Sequence, residues 1–305
     1  MDADFLSVDD LAPAELGDLL DRSAAVKRDP ASAASALAGR AVAMIFEKPS
    51  TRTRVSFEVA ISSAGGHPVP LSSAELQLGR GETIEDTGRV LSRYVDAIVL
   101  RTFEQERLEL LARAATVPVV NALSDFEHPC QALADLLTVR EAFGALEGRT
   151  LTYLGDGNNV THSLLLAGAK AGMRVRAATP PGFEPIPQVV QRARDIAATT
   201  GGAIEVTSDA EAACRDADVL YTDVWASMGQ EAEAEERALV FPAYALDVEK
   251  LALAADDAIV LHCLPAHRGM EITDEVIDGP ASRVWDQAEN RLHTQKALLV
   301  RLLAG

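Results

Sequence analysis

Basic residues, aromatics, cysteines and long apolar runs are all scarce in this chain, and each scarcity excludes a class of function. Lys and Arg number 28 against 46 Asp and Glu, a formal net charge of −18 over 305 residues. A surface that acidic repels nucleic acid and anionic membranes, because both are held chiefly by Lys and Arg on phosphate. Aromatic residues make up only 5%, too few for a base-stacking platform. We therefore expect no nucleic acid and no membrane among its partners. Cys130, Cys214 and Cys263 are scattered and form no CxxC pair, which argues against a disulfide framework and a structural zinc and makes a reducing cytosol the simplest compartment. No apolar stretch approaches the ~20 residues of a membrane span. The acidic segment Met1–Leu20 reads as neither a secretory signal nor a transit peptide. An anionic small substrate would have to be met by a local cluster of basic residues in this acidic background.

What remains is an ordinary globular composition, 48% hydrophobic and 24% charged, long enough for about two domains. Short runs rich in Val, Ile and Leu alternate with helical patterns: Ala41–Phe46, Ala97–Leu100, Pro118–Val120, Leu151–Leu154, Val175–Ala178, Val219–Val224 and Ala258–Leu264. Continuously apolar runs of this length are the pattern of parallel strands covered on both faces. The reading is α/β, with two domains, each a mainly parallel sheet with helices on both faces. Between the first two runs, Phe57, Ala60, Ile61 and Ala64 fall on one stripe of a helix that Gly65 and Gly66 end. A boundary is expected in Phe143–Arg149, where Gly144 and Gly148 interrupt the pattern. This gives domains over residues 1–143 and 149–289. We expect a C-terminal helix over 290–305 to pack back on the first, although its own spacing does not say so. The acid-rich stretch Gln230–Arg237 reads as a solvated loop or helix face.

The sharpest local feature is Glu47-Lys48-Pro49-Ser50-Thr51-Arg52-Thr53-Arg54, directly after a strand and opening a helix. Outward-pointing helix amides coincide there with hydroxyls and guanidinium groups, an anion cradle that lacks the glycine spacing of a Walker A loop. A plain Ser/Thr N-cap beside surface arginines is the competing reading. Open α/β sheets bind ligands outside the carboxyl ends of their strands. Arg101, His128, Gln131, Asp156–Asn159, Asp223 and Cys263 all fall at such ends. Gly155-Asp156-Gly157-Asn158-Asn159-Val160 only superficially resembles a dinucleotide turn, since Val160 replaces the third glycine and no acidic partner follows. It reads instead as a tight strand-to-helix turn able to hold a polar ligand.

Together, Ser50-Thr51-Arg52-Thr53-Arg54, His128-Pro129-Cys130-Gln131, the segment from Asp223 through Ser227-Met228-Gly229, and His262-Cys263-Leu264-Pro265 resemble the ornithine carbamoyltransferases of the transcarbamoylase family. The resemblance runs from about Phe46 to about Leu298 and includes Glu289-Asn290-Arg291. It implies a carbamoyl-phosphate domain followed by an ornithine domain, a homotrimer, and no metal or organic cofactor. Carried over by motif, the carbamoyl-phosphate contacts are Ser50, Thr51, Arg52, Thr53, Gln77, Arg101, His128, Gln131 and Arg291, with Cys263 and Leu264 at the reacting centre. The ornithine contacts are Asn159, Asp223, Ser227 and Met228, and Cys263, Arg101, His128 and Asp223 are the expected catalytic set. The resemblance also implies that the loop Ser72–Glu82 crosses to the next subunit and presents Gln77 there, so that each site is shared. The expected reaction is carbamoyl phosphate plus L-ornithine to L-citrulline and phosphate, in arginine metabolism or the urea cycle.

The chemistry calls for these residue types on its own terms. Arginines bind phosphate bidentately and stabilise the charge that grows on it as it leaves. The attacking amine must be neutral, yet an alkylamine titrates at about 10.4. A carboxylate such as Asp223 favours the ammonium form, so its expected job is to bind and orient ornithine. For Cys263 a positioning role is preferred over a covalent acyl-thiol, because carbamoyl phosphate is already activated. Three alternatives stay open at this point: a transcarbamoylase for another amine such as an acylated ornithine or putrescine, a nicotinamide-dependent oxidoreductase on the Gly155 turn, and a non-catalytic anion-binding regulator.

Overall fold

The computed structural model describes residues 4–72, 81–226 and 234–304. They fold into two compact units, Met1–Leu133 with Asn290–Gly305, and Ala134–Glu289.

The first unit opens with α1 (Pro13–Arg28). β1 (Ala41–Phe46), α2 (Thr51–Ser62), β2 (His67–Ser72), α3 (Ile84–Leu91), β3 (Ala97–Arg101), α4 (Gln105–Ala114) and β4 (Val119–Leu123) then alternate, and α5 (Pro129–Phe143) follows. The four strands form one parallel sheet in the order β2-β1-β3-β4. Every residue of β3 is buried, as expected for a strand covered on both faces. Ala43, Ile45, Ile98, Leu100 and Val119 form one apolar layer with Ile84 of α3 and Leu108 and Leu111 of α4.

The second unit continues from within α5 through β5 (Thr150–Leu154), α6 (Asn159–Lys170), β6 (Arg174–Ala178), α7 (Pro187–Thr200), β7 (Ala203–Thr207), α8 (Ala210–Cys214) and β8 (Val219–Thr222). It closes with α9 (Ala234–Val240), α10 (Val248–Leu251), β9 (Ile259–His262), α11 (Asp274–Ile277) and the start of α12 (Val284–Ala304). Its parallel sheet has the order β7-β6-β5-β8-β9. Leu154, Ala178, Leu220 and Val260 of the sheet pack with Ala213, Cys214, Val276 and Ile277 of the short helices.

The seven apolar runs of the sequence are all strands, and β1 has the expected limits. The two strands with no such signal, β2 and β7, are the outer edges of their sheets. β2 reads His-Pro-Val-Pro-Leu-Ser with no fully buried residue, and β7 is likewise half-exposed. An edge strand buries too little to be apolar throughout, and proline survives there because one side of the ladder is unpaired. α12 begins at Val284, six residues before the helix expected over 290–305. The compact units divide inside α5, between Leu133 and Ala134, and inside α12 at Asn290; the glycine-marked loop Phe143–Arg149 joins α5 to β5.

In each sheet, chain order reverses beside the first strand of that unit, between β1 and β3 and between β5 and β8. Such a switch point leaves a crevice at the carboxyl ends, where connections depart in opposite directions. Registry levels those ends: Phe46 pairs with Arg101, Leu154 with Thr222, and Thr222 with His262.

Candidate active site

In the first unit, Ser50 stands at the N-cap of α2 in an extended conformation, and its hydroxyl makes no capping hydrogen bond. The plain-cap reading therefore fails, and the hydroxyl is available to a ligand. Thr51 and Arg52 are exposed in the first turn, while Thr53 is buried. Thr53 Oγ1 accepts from Arg291 Nη2 at 2.7 Å and from Arg101 Nη1 at 3.4 Å. Arg291 Nη1 also donates to Gln131 Oε1 at 3.2 Å. Arg101 ends β3, Gln131 lies in the first turn of α5 and Arg291 comes from α12. One hydroxyl thus ties together side chains separated by up to 238 positions in sequence.

His128 is buried, and its pKa is held well below the usual imidazole value by that burial and then by the charges of Arg291, Arg101 and Arg52. It is a neutral ring that can donate one N–H. Cys130, two residues on, is inert: burial pushes its thiol up to about 12, and Sγ donates to Asn121 O at 3.3 Å. Not every charge in the motif joins this group. Arg54 pairs on the helix surface with Glu58 at 2.7 Å, and buried Lys48 pairs with Asp125 and lies 4.4 Å from the centre of the Phe103 ring. Arg107 grips Glu47 at 2.6 Å and 3.2 Å, fastening the base of the loop that leads into the cradle.

The second unit presents a different set. Gly155, at φ +137°, turns the chain out of β5. Gly157 runs so close to the backbone of Pro185 that a Cβ would sit 2.2 Å from its nitrogen. The turn is the tight one expected, and it delivers Asn158 as N-cap of α6, accepting from the amides of Val160 and Thr161 at 2.9 Å and 3.2 Å. Asn158 Nδ2 donates to Asp223 Oδ2 at 3.0 Å, and the Cys263 thiol donates to Asp223 Oδ1 at 2.9 Å. Asp223 follows β8 and is nearly buried, and Cys263 follows β9 and is partly exposed. Asn159 is half-exposed at the first position of α6. Gln77, Ser227 and Met228 lie outside the described residues.

Three residues of this second group have roles that the sequence reading does not assign. Asn158, rather than its neighbour Asn159, holds the Asp223 carboxylate; the twin asparagines are plain in the sequence, but not which one turns inward. Arg237, at the end of a stretch expected to be solvated, is buried and bridges Asp156 Oδ2 at 2.7 Å and Trp225 O at 2.6 Å. Gln287 accepts from the His262 amide at 2.9 Å and donates to Asp135 and the Tyr221 hydroxyl at 2.7 Å and 3.1 Å.

Among the described residues, Asp223, His262 and Cys263 bring potential ligand atoms within 4.8 Å of one another. His262 is nevertheless committed at both nitrogens: Nδ1 accepts from the Leu264 amide at 2.8 Å and Nε2 lies 3.2 Å from Glu271 Oε1. That leaves a thiol and a carboxylate already bonded to each other, a poor donor set for a resident metal ion.

What the two groups can do is complementary. The first is cationic and rich in N–H and O–H donors, suited to an oxyanion; the second presents a carboxylate, suited to a cation. Among the described residues, no helix is long and apolar enough to cross a membrane.

Comparison with known proteins agrees with this division. Residues 3–141 match the family model for the carbamoyl-P binding domain of aspartate/ornithine carbamoyltransferase, and residues 147–302 match the Asp/Orn binding domain. The ornithine carbamoyltransferase of Parafrankia sp. (strain EAN1pec) is 63% identical over 303 residues, covering 99% of this chain and 95% of that protein. The solved ornithine carbamoyltransferase from Pyrococcus furiosus is 53% identical, with a TM-score of 0.96 and coverage of 99% and 97%. A solved N-acetyl-L-ornithine transcarbamylase variant is 32% identical, with a TM-score of 0.88 and coverage of 98% and 99%. The chain belongs to the aspartate/ornithine carbamoyltransferase family of carbamoyl-transferring enzymes.

Proposed function

We propose that this enzyme carbamoylates the δ-amine of L-ornithine, converting carbamoyl phosphate and L-ornithine to L-citrulline and phosphate. The observation that carries the reading is Thr53, whose hydroxyl accepts from both Arg101 and Arg291 beside a neutral His128. Two guanidinium groups gathered on one hydroxyl at the switch point of a sheet form a cation cluster in a chain of net charge −18, which fits a dianionic acyl phosphate.

In this reading the α2 N-terminus, with Ser50, Thr51, Arg52 and Thr53, holds the phosphate, and Arg52 neutralises the charge that grows as it departs. Arg101, His128 and Thr53 donate to the carbamoyl carbonyl oxygen as the neutral amine attacks and a tetrahedral oxyanion forms. A ring kept neutral by burial serves as a donor there and is too weak a base to take the amine's proton. Gln131 and Arg291 fix the donors, and Leu264 borders the reacting centre. Asp223, steadied by Asn158 and Cys263, anchors an ammonium group of ornithine with Asn159, Ser227 and Met228. A thiol that donates to a carboxylate is a positioning group and needs no covalent intermediate.

The Asp223 carboxylate also favours free ornithine over an acylated one. Acylation removes the cation that this nearly buried carboxylate would pair with, and an unpaired buried charge is costly. Citrulline formation compared across ornithine, N-acetylornithine, putrescine and aspartate tests the reading. Turnover confined to ornithine supports it, and turnover of N-acetylornithine alone sinks it.

We assign carbamoyl phosphate to the domain of residues 1–143 with helix 290–305, and ornithine to residues 149–289. The active form is a homotrimer in a reducing cytosol, with Gln77 supplied by the neighbouring subunit. Co-refolding inactive Gln77→Ala and Arg52→Ala chains checks this, because only a shared site recovers activity in the mixture. If mixed trimers form without gain, each site is built within one chain.

A further inference from the structure

The geometry points to Glu271 as a positioning residue that sets the tautomer of His262 and through it the backbone of Leu264. Glu271 and the His262 side chain are both fully buried. The Leu264 amide can only donate, so the Nδ1 that accepts it at 2.8 Å carries no proton. In the neutral ring the proton is then on Nε2, and it is donated to Glu271 Oε1 at 3.2 Å. The same Oε1 accepts from the His267 amide, which fixes the carboxyl group from the loop that follows. Oε2, which makes no hydrogen bond, lies 3.9 Å from His267 Nδ1.

The chain Glu271, His262, Leu264 has a purpose in the conformation it ends on. Leu264 sits at φ +58°, a left-handed conformation that a branched, non-glycine residue adopts only when its surroundings enforce it. The bond from its amide to Nδ1 supplies that enforcement. Were the proton to move to Nδ1, two N–H groups would face each other and the corner would open. Gln287 secures the preceding residue separately by accepting from the His262 amide at 2.9 Å. Ring and amide of His262 are thus fixed by two carbonyl-type oxygens from different segments. The corner they shape carries Cys263, whose thiol reaches Asp223. Glu271 therefore acts at two removes from the substrate, and an acceptor oxygen, rather than a charge, is what the position requires.

The kinetic part of the test rests on the carbamoyl-transfer reading; the spectroscopic part does not. In the parent protein labelled with ¹⁵N-histidine, with His262 assigned by its loss in His262→Asn, long-range proton–nitrogen correlation should show Nε2 protonated and Nδ1 bare. A proton on Nδ1 in the parent overturns the proposal without any variant at Glu271. Glu271→Gln keeps an oxygen for Nε2–H and the His267 amide, and should retain this tautomer and at least about half of kcat. Glu271→Leu removes the acceptor and should lose the single tautomer and on the order of tenfold or more in kcat, as expected when a histidine loses the group that orients it. Carbamoyl-phosphate affinity, to which the Ser50–Thr53 cradle contributes independently of this corner, should stay within twofold in Glu271→Gln and fall by less than kcat in Glu271→Leu. The proposal fails if a folded Glu271→Leu keeps the tautomer and rate, or if Glu271→Gln loses as much rate as Glu271→Leu. If the parent makes no citrulline from ornithine, the reaction assignment falls, while the tautomer measurement still decides the role of Glu271.

Discussion

The two polar groups at the two switch points are built on opposite principles. In the first unit, cations converge on a neutral acceptor: Arg101 and Arg291 both donate to Thr53. In the second, neutral donors converge on an anion: Asn158 and Cys263 both donate to Asp223. The difference teaches that the two groups have opposite character: guanidinium donors gathered on a hydroxyl suit an oxyanion, and a carboxylate held by neutral donors suits an ammonium. The supports follow the reverse rule. Asp156 and Arg237, behind the second group, do neutralise each other and are both nearly buried, so that pair carries structure and not substrate.

The contrast can be broken most forcefully at the support. Arg237→Ala leaves Asp156 as an uncompensated buried charge and should lower stability by about 3–5 kcal/mol, read as a fall in Tm. A shift within the error of the measurement would show that the pair is not structural. Next in size, Arg52→Ala should lower kcat/KM for carbamoyl phosphate on the order of 10²–10³ with Tm unchanged, because Arg52 is exposed. Turnover and carbamoyl-phosphate affinity both within twofold of the parent would remove Arg52 from the cradle. Asp223→Asn should raise KM for ornithine roughly 10–100-fold, the cost of losing a charge-assisted contact of about 1.5–3 kcal/mol. Carbamoyl-phosphate affinity should not move; if it weakens equally, the two groups are not separate binding sites.

The smallest expected effect sharpens the comparison on the first side. Glu127, next to His128, is buried, and burial raises its pKa to about 7 despite hydrogen bonds from Ser7 and the Val8 amide. A carboxyl raised in the folded state contributes stability that is complete below its unfolded value, 4.5, and is lost as pH rises through about 7. Each pH unit between those two values costs at most about 1.4 kcal/mol. Glu127→Gln should therefore flatten the decline in unfolding free energy between about pH 5 and 8 by roughly 1–2 kcal/mol, part of that ceiling. Parallel pH profiles for parent and variant would show that the carboxyl does not titrate in this window.

The polar groups were legible in the sequence to the extent that each residue stands beside a strand end. The apolar runs located those ends, and the open-sheet rule turned a set of polar residues into a shared rim. That is why Arg101, His128, Gln131, Asp223 and Cys263 could be grouped, while Thr53 came from the motif after β1 and the individual roles came from the family resemblance. Arg52 and Arg54 open the same helix and only the resemblance separated them; the structure adds that Arg54 is engaged by Glu58 one turn on, at 2.7 Å. The same blindness hid Arg237, whose acidic neighbours suggest solvent while its partner Asp156 lies 81 positions away.

The sequence by itself determined the periodicity of its strands and helices, the acidic surface, and the short motifs after β1, β4, β8 and β9, because those depend on residues that are neighbours along the chain. The tertiary structure alone decided which polar atoms meet: Arg291 reaches Thr53 across 238 positions, Gln287 reaches Asp135 across 152, and Cys263 reaches Asp223 across 40. The physical reason is that a hydrogen bond is made or lost over a few tenths of an ångström, whereas hydrophobic patterning tolerates far larger errors of position. Pattern is therefore local and readable, and polar pairing becomes readable only once packing has fixed the backbone.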